Sequence, residues 1–316
     1  MSGQERAAAG AQGSPPGSPQ GSPQGSPQGS PQGSPQQWPQ ARPIALSVSI
    51  MLEGWTDDAA PGIGPMGNPL KAGVYDTQAK SWAEYGARTG ADRLLDVLAD
   101  TGTTAVFYVS GILAERNPDL MRRIIGQGHV VAAHAWSQHI IPAYQSRDEE
   151  AADLNRCIAV IAQTTGSRPT GWISPRATPS LQTPELLARE GFTWIADVFD
   201  RDLPHTLPTA GGNLIGMPFT TEVNDFPLCI RYGQEPWAFV RTLQNILQGW
   251  SEIRSPRACL DLTAHAHVFG RPAGAMAFKA AIEMARDNPL CWMTHHAEVA
   301  QLYAADRQSS REKIAG

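Results

Sequence analysis

From residue 44 onward, short apolar runs alternate with longer stretches of helical spacing. "IALSVSIML" (44–52), "TAVFYVSG" (104–111), "HVVAAH" (129–134), "TGWIS" (170–174), "FTWIADV" (192–198), "LIGMPF" (214–219) and "CLDLTAH" (259–265) are strand-like. Between them lie segments with a 3.6-residue period. "RTGADRLLDVLADTG" (88–102) stops at Gly102, and "NPDLMRRIIGQG" (117–128) opens with Asn117 as N-cap and Pro118 at the first helical position. "SRDEEAADLNRCIAVIAQTTG" (146–166) begins with a Ser146–Glu149 capping box, and "TPELLAREG" (183–191) is shorter. Further helices are expected near 236–249, 275–287 and 295–305. Strand–helix units of this length predict parallel strands joined by right-handed crossovers. Seven or eight of them predict an α/β fold of distorted (β/α) barrel type. In such barrels the chemistry gathers in the loops after strand C-termini. Glu53, His134, Arg176, Asp197, Asn224 with Asp225, and His265 all stand there.

The first 40 residues have a different character. Residues 13–36 read GSPP followed by five copies of GSPQ, which cannot bury enough apolar area to offset chain entropy, so a disordered tail is expected over 1–40. The barrel is expected over 41–306 and a short tail over 307–316. Of the 316 residues, 41% are hydrophobic and 17% charged, with a net charge of −5. That balance points away from nucleic acid and anionic membrane surfaces. No apolar stretch approaches a membrane span. The N-terminus lacks the apolar core of a secretory signal, and the four cysteines form no CxxC pair, so a cytoplasmic location is expected.

Two histidine pairs carry the candidate chemistry. His134 and His139 are five positions apart, about 500° on a helix and roughly 140° off a shared face. On a helix His134 would align with Gln138. A turn, which Pro142 suggests, could still gather both histidines. His265 and His267 alternate at the end of a strand, so they are expected on opposite faces, one toward a site and one packed or solvated. Glu53 closes the first strand, and the loop over 56–82 has the length of a lid or binding loop. Arg176 is either an oxyanion clamp or a salt bridge at the barrel mouth. His129 reads as structural, and His295 and His296 as surface or capping residues.

The strand ending in an acid, the GH(x)4H segment (128–134), "RPTGWISPR" (168–176) and the late "LTAH" (262–265) resemble the polysaccharide deacetylase (NodB-homology, carbohydrate esterase 4-like) superfamily over roughly residues 43–303. "EYGARTG" (84–90), "DVFDRDLP" (197–204), "MPFTTEVND" (217–225) and "HAHVFGRPAG" (265–274) are most similar to its allantoinase and cyclic imidase branch. The resemblance implies hydrolysis of a non-peptide C–N bond, with His265 as general acid and Arg176 and Asp197 at polar positions around the site. Trp172, Asn224, Asp225 and His267 are its substrate-side candidates. Metal-dependent relatives carry paired acids and an H-x3-H motif. Here the pair reads Leu52–Glu53, and Gln138 stands where the second histidine is expected.

Two mechanisms therefore stay open. One divalent metal, zinc or similar, is held by Glu53 and His134 with His139 or Gln138. Otherwise Glu53 or His134 is the base and Arg176 meets the oxyanion. The leading reading is opening of a small cyclic amide, imide or ureide. The alternatives are an N-acetyl sugar deacetylase and a non-catalytic ligand-binding barrel. The expected partner is a small-molecule or sugar substrate, and a homo-oligomer is compatible with such a barrel.

Overall fold

The first apolar run forms β1 (Ile44–Leu52), and all nine of its residues are buried, as a strand covered on both faces requires. Eight strands follow among the described residues: β2 (Val106–Val109), β3 (Val130–Ala133), β4 (Gly171–Trp172), β5 (Trp194–Val198), β6 (His205–Thr209), β7 (Gly212–Pro218), β8 (Ala258–His265) and β9 (Cys291–Thr294). They belong to a computed structural model that describes residues 38–67, 69–71, 73–254 and 257–315. The GSPQ repeats lie outside the described residues.

The sheet order is β6-β7-β5-β4-β3-β2-β1-β8, with β9 also paired to β1. All pairings are parallel except the β6–β7 hairpin. β8 runs along β1 from Ile44 to Met51. On the other edge β1 gives Ile44–Ser47 to β9 and Ser49–Leu52 to β2. Beyond β7 the ladder gives way to irregular closure on β8. The Thr263 amide donates to the Val223 carbonyl at 3.1 Å, and the Asp261 amide to Thr220 Oγ1 at 2.9 Å. The result is the curled, distorted barrel sheet that the strand–helix alternation predicts.

Alternation along β1 separates two layers. Ile44, Leu46, Val48, Ile50 and Leu52 pack outward against helices, with Leu94, Leu98 and Phe278. Ala45 and Met51 join the interior with Tyr108, Trp194 and Met217. Ser47 and Ser49 share that interior face by register. Both donate to Asp261 Oδ1, Ser49 at 2.7 Å, and Thr263 donates to Oδ2 at 2.6 Å. One buried carboxylate thus ties β1 to β8.

The long helix Arg147–Thr165 starts with the expected capping box. Several expectations need correction. Asn117 makes no capping bond; its amide donates back to the Leu113 carbonyl. β6 and β9 were not predicted, because a five-residue edge strand containing Pro208 and a four-residue strand carry little periodic signal. Instead of a tail at 307, the last helix continues from His296 to Ala315. Its first residue, His296, is buried rather than on the surface, with Nδ1 2.6 Å from the Tyr108 hydroxyl. At the other end of the described chain Trp38 is buried, its ring 6.0 Å from that of Trp292.

Candidate active site

β1 continues its alternation for one residue beyond the strand, so Glu53 lies on the same inward face as Met51. Both line a cavity of about 620 Å³ at the C-terminal ends of the strands. Leu52 faces the other way, buried in the helix-facing core, so no second acid stands beside Glu53. His134 enters after β3, Arg176 after β4, Asn224 after β7, His265 at the end of β8 and His267 just beyond it, all lining the same cavity. Pro61, Gly62, Ile63 and Pro69 from the loop after β1 also line it, which is where a lid or binding loop was expected.

At the floor, three imidazoles surround one carboxylate. His134 Nε2 lies 3.5 Å and His265 Nε2 3.7 Å from Glu53 Oε1; His267 Nε2 lies 3.8 Å from Oε2. Burial pushes the Glu53 carboxyl toward neutrality, but the charge of His265 and the contacts of His134 and His267 outweigh it, leaving a pKa of about 2. Glu53 is therefore ionised across the physiological range.

Each histidine is held differently. His134 Nδ1 is 2.8 Å from the Ile173 carbonyl, which can only accept, so Nδ1 carries a proton, and in the neutral form of the ring Nε2, turned inward, is free to accept. That Nε2 has no hydrogen-bond partner among the described residues. His265 Nδ1 is 2.6 Å from Asp225 Oδ1, while Asp225 Oδ2 accepts the amides of His265 at 2.7 Å and Phe269 at 3.2 Å. Burial disfavours charge on His265, but Asp225 and Glu53 prevail and raise its pKa. His267 is buried with Trp82 edge-on at 4.4 Å and Trp55 at 5.9 Å, and burial lowers its pKa to about 4.

His265 and His267 thus do not diverge. The strand ends at His265 and the next residues turn, so alternation no longer applies to His267. The glycines of "EYGARTG" shape this turn from outside. A Cβ on Gly90 would stand 1.9 Å from the Ala266 carbonyl oxygen, and one on Gly86 3.1 Å from the His267 amide nitrogen. At Gly90 only glycine permits that approach, a role the motif's spacing alone did not reveal.

Four sequence candidates do not reach the cavity. His139 is exposed, its Nδ1 2.9 Å from Ser137 Oγ, because the chain turns outward after Gln138. Trp172 is buried in the helix-facing core, and its indole donates to Ser174 Oγ at 3.0 Å. Asp197 is one layer back and accepts the Ser174 amide at 2.9 Å and hydroxyl at 2.7 Å; burial raises its pKa to about 6. Asp225 stands behind His265. Ser174, which does line the cavity, was missed, since a serine in a strand-end loop carries no distinctive signal. Arg176 adopts φ 56° and Ala177 φ 48°, a left-handed pair that costs strain and sets Arg176 at the exposed rim.

The resemblance implies a divalent metal, and the donors present do not fit one. Of the expected ligands, Glu53 and Nε2 of His134 converge and Gln138 lines the same cavity, but His139 is exposed, its Nδ1 on Ser137 Oγ. Among the described residues, no group of three or more His, Cys, Asp or Glu side chains is arranged to hold a metal ion.

The polysaccharide deacetylase family profile matches residues 79–195, a segment that carries His134, Gln138 and Arg176 but neither Glu53 nor His265. The peptidoglycan deacetylase of Helicobacter pylori is 26% identical over 142 residues, 45% of this chain and 48% of that protein. A chitooligosaccharide deacetylase of Sinorhizobium fredii is 40% identical over 67 residues, 21% of this chain and 31% of that protein. The chain thus spans half or less of the length of these relatives. Solved structures cover far more of it. A PuuE allantoinase superposes with TM-score 0.75 at 25% identity, covering 85% of this chain and 92% of that one. A probable polysaccharide deacetylase from Pseudomonas aeruginosa PAO1 gives 0.74 at 26%, covering 84% and 92%. Residues 79–195 thus match the polysaccharide deacetylase profile, and the fold of the described chain is similar to solved structures of a probable polysaccharide deacetylase and an allantoinase.

Proposed function

We propose that this chain hydrolyses a non-peptide carbon–nitrogen bond, opening a small cyclic amide, imide or ureide. The observation that carries the reading is the line Asp225–His265–Glu53 with the inward Nε2 of His134 beside it, at the floor of a cavity of small-molecule size. The near-complete match to an allantoinase structure supports it.

The residues divide the work by their proton inventories. His134 takes a proton from the attacking water at Nε2 while Nδ1–H stays on the Ile173 carbonyl. The hydroxide equivalent adds to the carbonyl carbon. His265, charged between Asp225 and Glu53, gives its Nε2 proton to the departing nitrogen as the C–N bond breaks. Water is thereby added across the bond, and passing the proton from His134 back to His265 restores both residues. Glu53 has too low a pKa to be an effective base; it serves as the fixed negative charge that keeps His265 protonated. Arg176 and Arg231, at the exposed edge of the cavity, meet the polar far side of the substrate.

The names of the curated relatives favour a second reading, deacetylation of an N-acetyl sugar, for which the same acid–base pair would serve. Product analysis separates the two. Ring opening of succinimide or hydantoin, abolished in His265→Ala, is the expected result. Acetate release from a chitooligosaccharide without ring opening would make the chain a deacetylase. Turnover of neither class would leave a ligand-binding barrel.

A further inference from the structure

We infer that His267 and Glu53 together form the subsite for the scissile amide, His267 Nε2–H donating to its carbonyl oxygen and Glu53 Oε2 accepting from its N–H. The inference rests on the cyclic-amide reading above and extends it to the group that selects the substrate.

His267 lines the cavity and is buried, yet neither of its ring nitrogens has a hydrogen-bond partner among the described residues. Leaving a buried donor unpaired is costly, which points to a ligand as the missing partner. The ring cannot swing to find another. Trp82 stands edge-on at 4.4 Å, Trp55 at 5.9 Å and Phe226 at 6.3 Å, and the turn beneath is locked against Gly86 and Gly90. Glu53 Oε2 lies 3.8 Å from its Nε2, beyond hydrogen-bond reach but close enough for both groups to contact one ligand edge.

The chemistry of that edge follows from the pair. A carbonyl oxygen alone would be repelled by the Glu53 carboxylate. An N–H alone would leave His267 unpaired. A group with N–H and C=O on the same side satisfies both. A small ring imposes that syn arrangement, whereas an open-chain secondary amide strongly prefers N–H and C=O anti. The acetamido group of an N-acetyl sugar is open-chain and offers this pair only one of its two groups. When water adds, the negative charge develops on the oxygen already facing His267, which stabilises it as a neutral donor while His134 and His265 carry the protons.

The test uses the full chain with succinimide, N-methylsuccinimide and a chitooligosaccharide. His267→Phe and His267→Leu, two donorless variants of different shape, are expected to lower kcat on succinimide by about 100-fold, with KM changed less. His267→Gln, which keeps a donor, is expected to recover part of the loss. Wild-type protein, which raises no question of folding, is expected to turn over N-methylsuccinimide at least about tenfold more slowly, because the N–H that Glu53 accepts is gone. Folded donorless variants with wild-type kcat, or equal turnover of the two imides, would overturn the subsite and leave ring opening standing. Acetate release without any ring opening would overturn the cyclic-amide reading and the subsite together.

Discussion

The two histidine pairs of this chain behave in opposite ways. His134 and His139 invite pairing and diverge: one faces Glu53, the other is exposed against Ser137. His265 and His267 are expected to diverge and converge on the two oxygens of the same carboxylate. In both cases a turn decides. After Gln138 the chain leaves the cavity; after His265 a turn pressed against Gly90 folds His267 back into it. Periodicity assigns a side chain to a face only while the element continues.

The sharpest way to break this comparison is to remove the acid. His265→Ala is expected to lower kcat/KM by about a thousandfold or more, within the usual range for a positioned general acid. His134→Ala is expected to cost about 100-fold and His139→Ala less than about twofold, measured by steady-state kinetics on the same substrate. Equal losses at 134 and 139 would restore His139 to the site. Elemental analysis of the purified chain sharpens the same contrast. The donors predict a metal content well below one ion per chain, whereas one ion per chain, lost on His134→Ala, would mean that a ligand set assembles after all.

Gly90→Ala tests the turn that brings His267 inward. Its Cβ would meet the Ala266 carbonyl oxygen at 1.9 Å and Gly270 Cα at 3.3 Å, both backbone, so something must shift. A stability loss of about 1–3 kcal/mol is expected, read as a lower midpoint in chemical denaturation, with activity falling beyond the loss of folded protein. The smallest effect concerns pH. The folded pKa of His265 lies above its ordinary value of 6.5. The stability it contributes is therefore fully present below that value and is lost as pH rises through the raised one. Activity that needs its proton falls on the same limb. Asp225→Asn removes the charge that Asp225 presents to His265 and should move the limb to lower pH in a kcat profile.

Much of the frame was legible in advance. β1, β8 and the capped helix Arg147–Thr165 have the predicted identity because their apolar periods are long and their boundary residues chemically explicit. Glu53, His134 and His265 were legible for the same reason: the first two directly follow well-marked strands and the third ends one, and a parallel barrel brings such positions together. The acids were less so. Asp197 lies within β5 and Asp225 in the loop beyond β7, and each is covered by the residue it supports, Ser174 and His265. Trp172 was misread because a tryptophan at a strand end is consistent with either layer.

What the sequence determined by itself, then, is the alternation of strands and helices and which polar residues stand at strand ends, because hydrophobic periodicity acts over neighbouring residues. Which of those residues share a cavity was decided by tertiary structure alone. The 3.5 to 3.8 Å spacings around Glu53 join residues 53, 134, 265 and 267 through the curl of the sheet and the close approach of one glycine turn to another. Such contacts depend on where the chain returns in space, and no local pattern encodes that return.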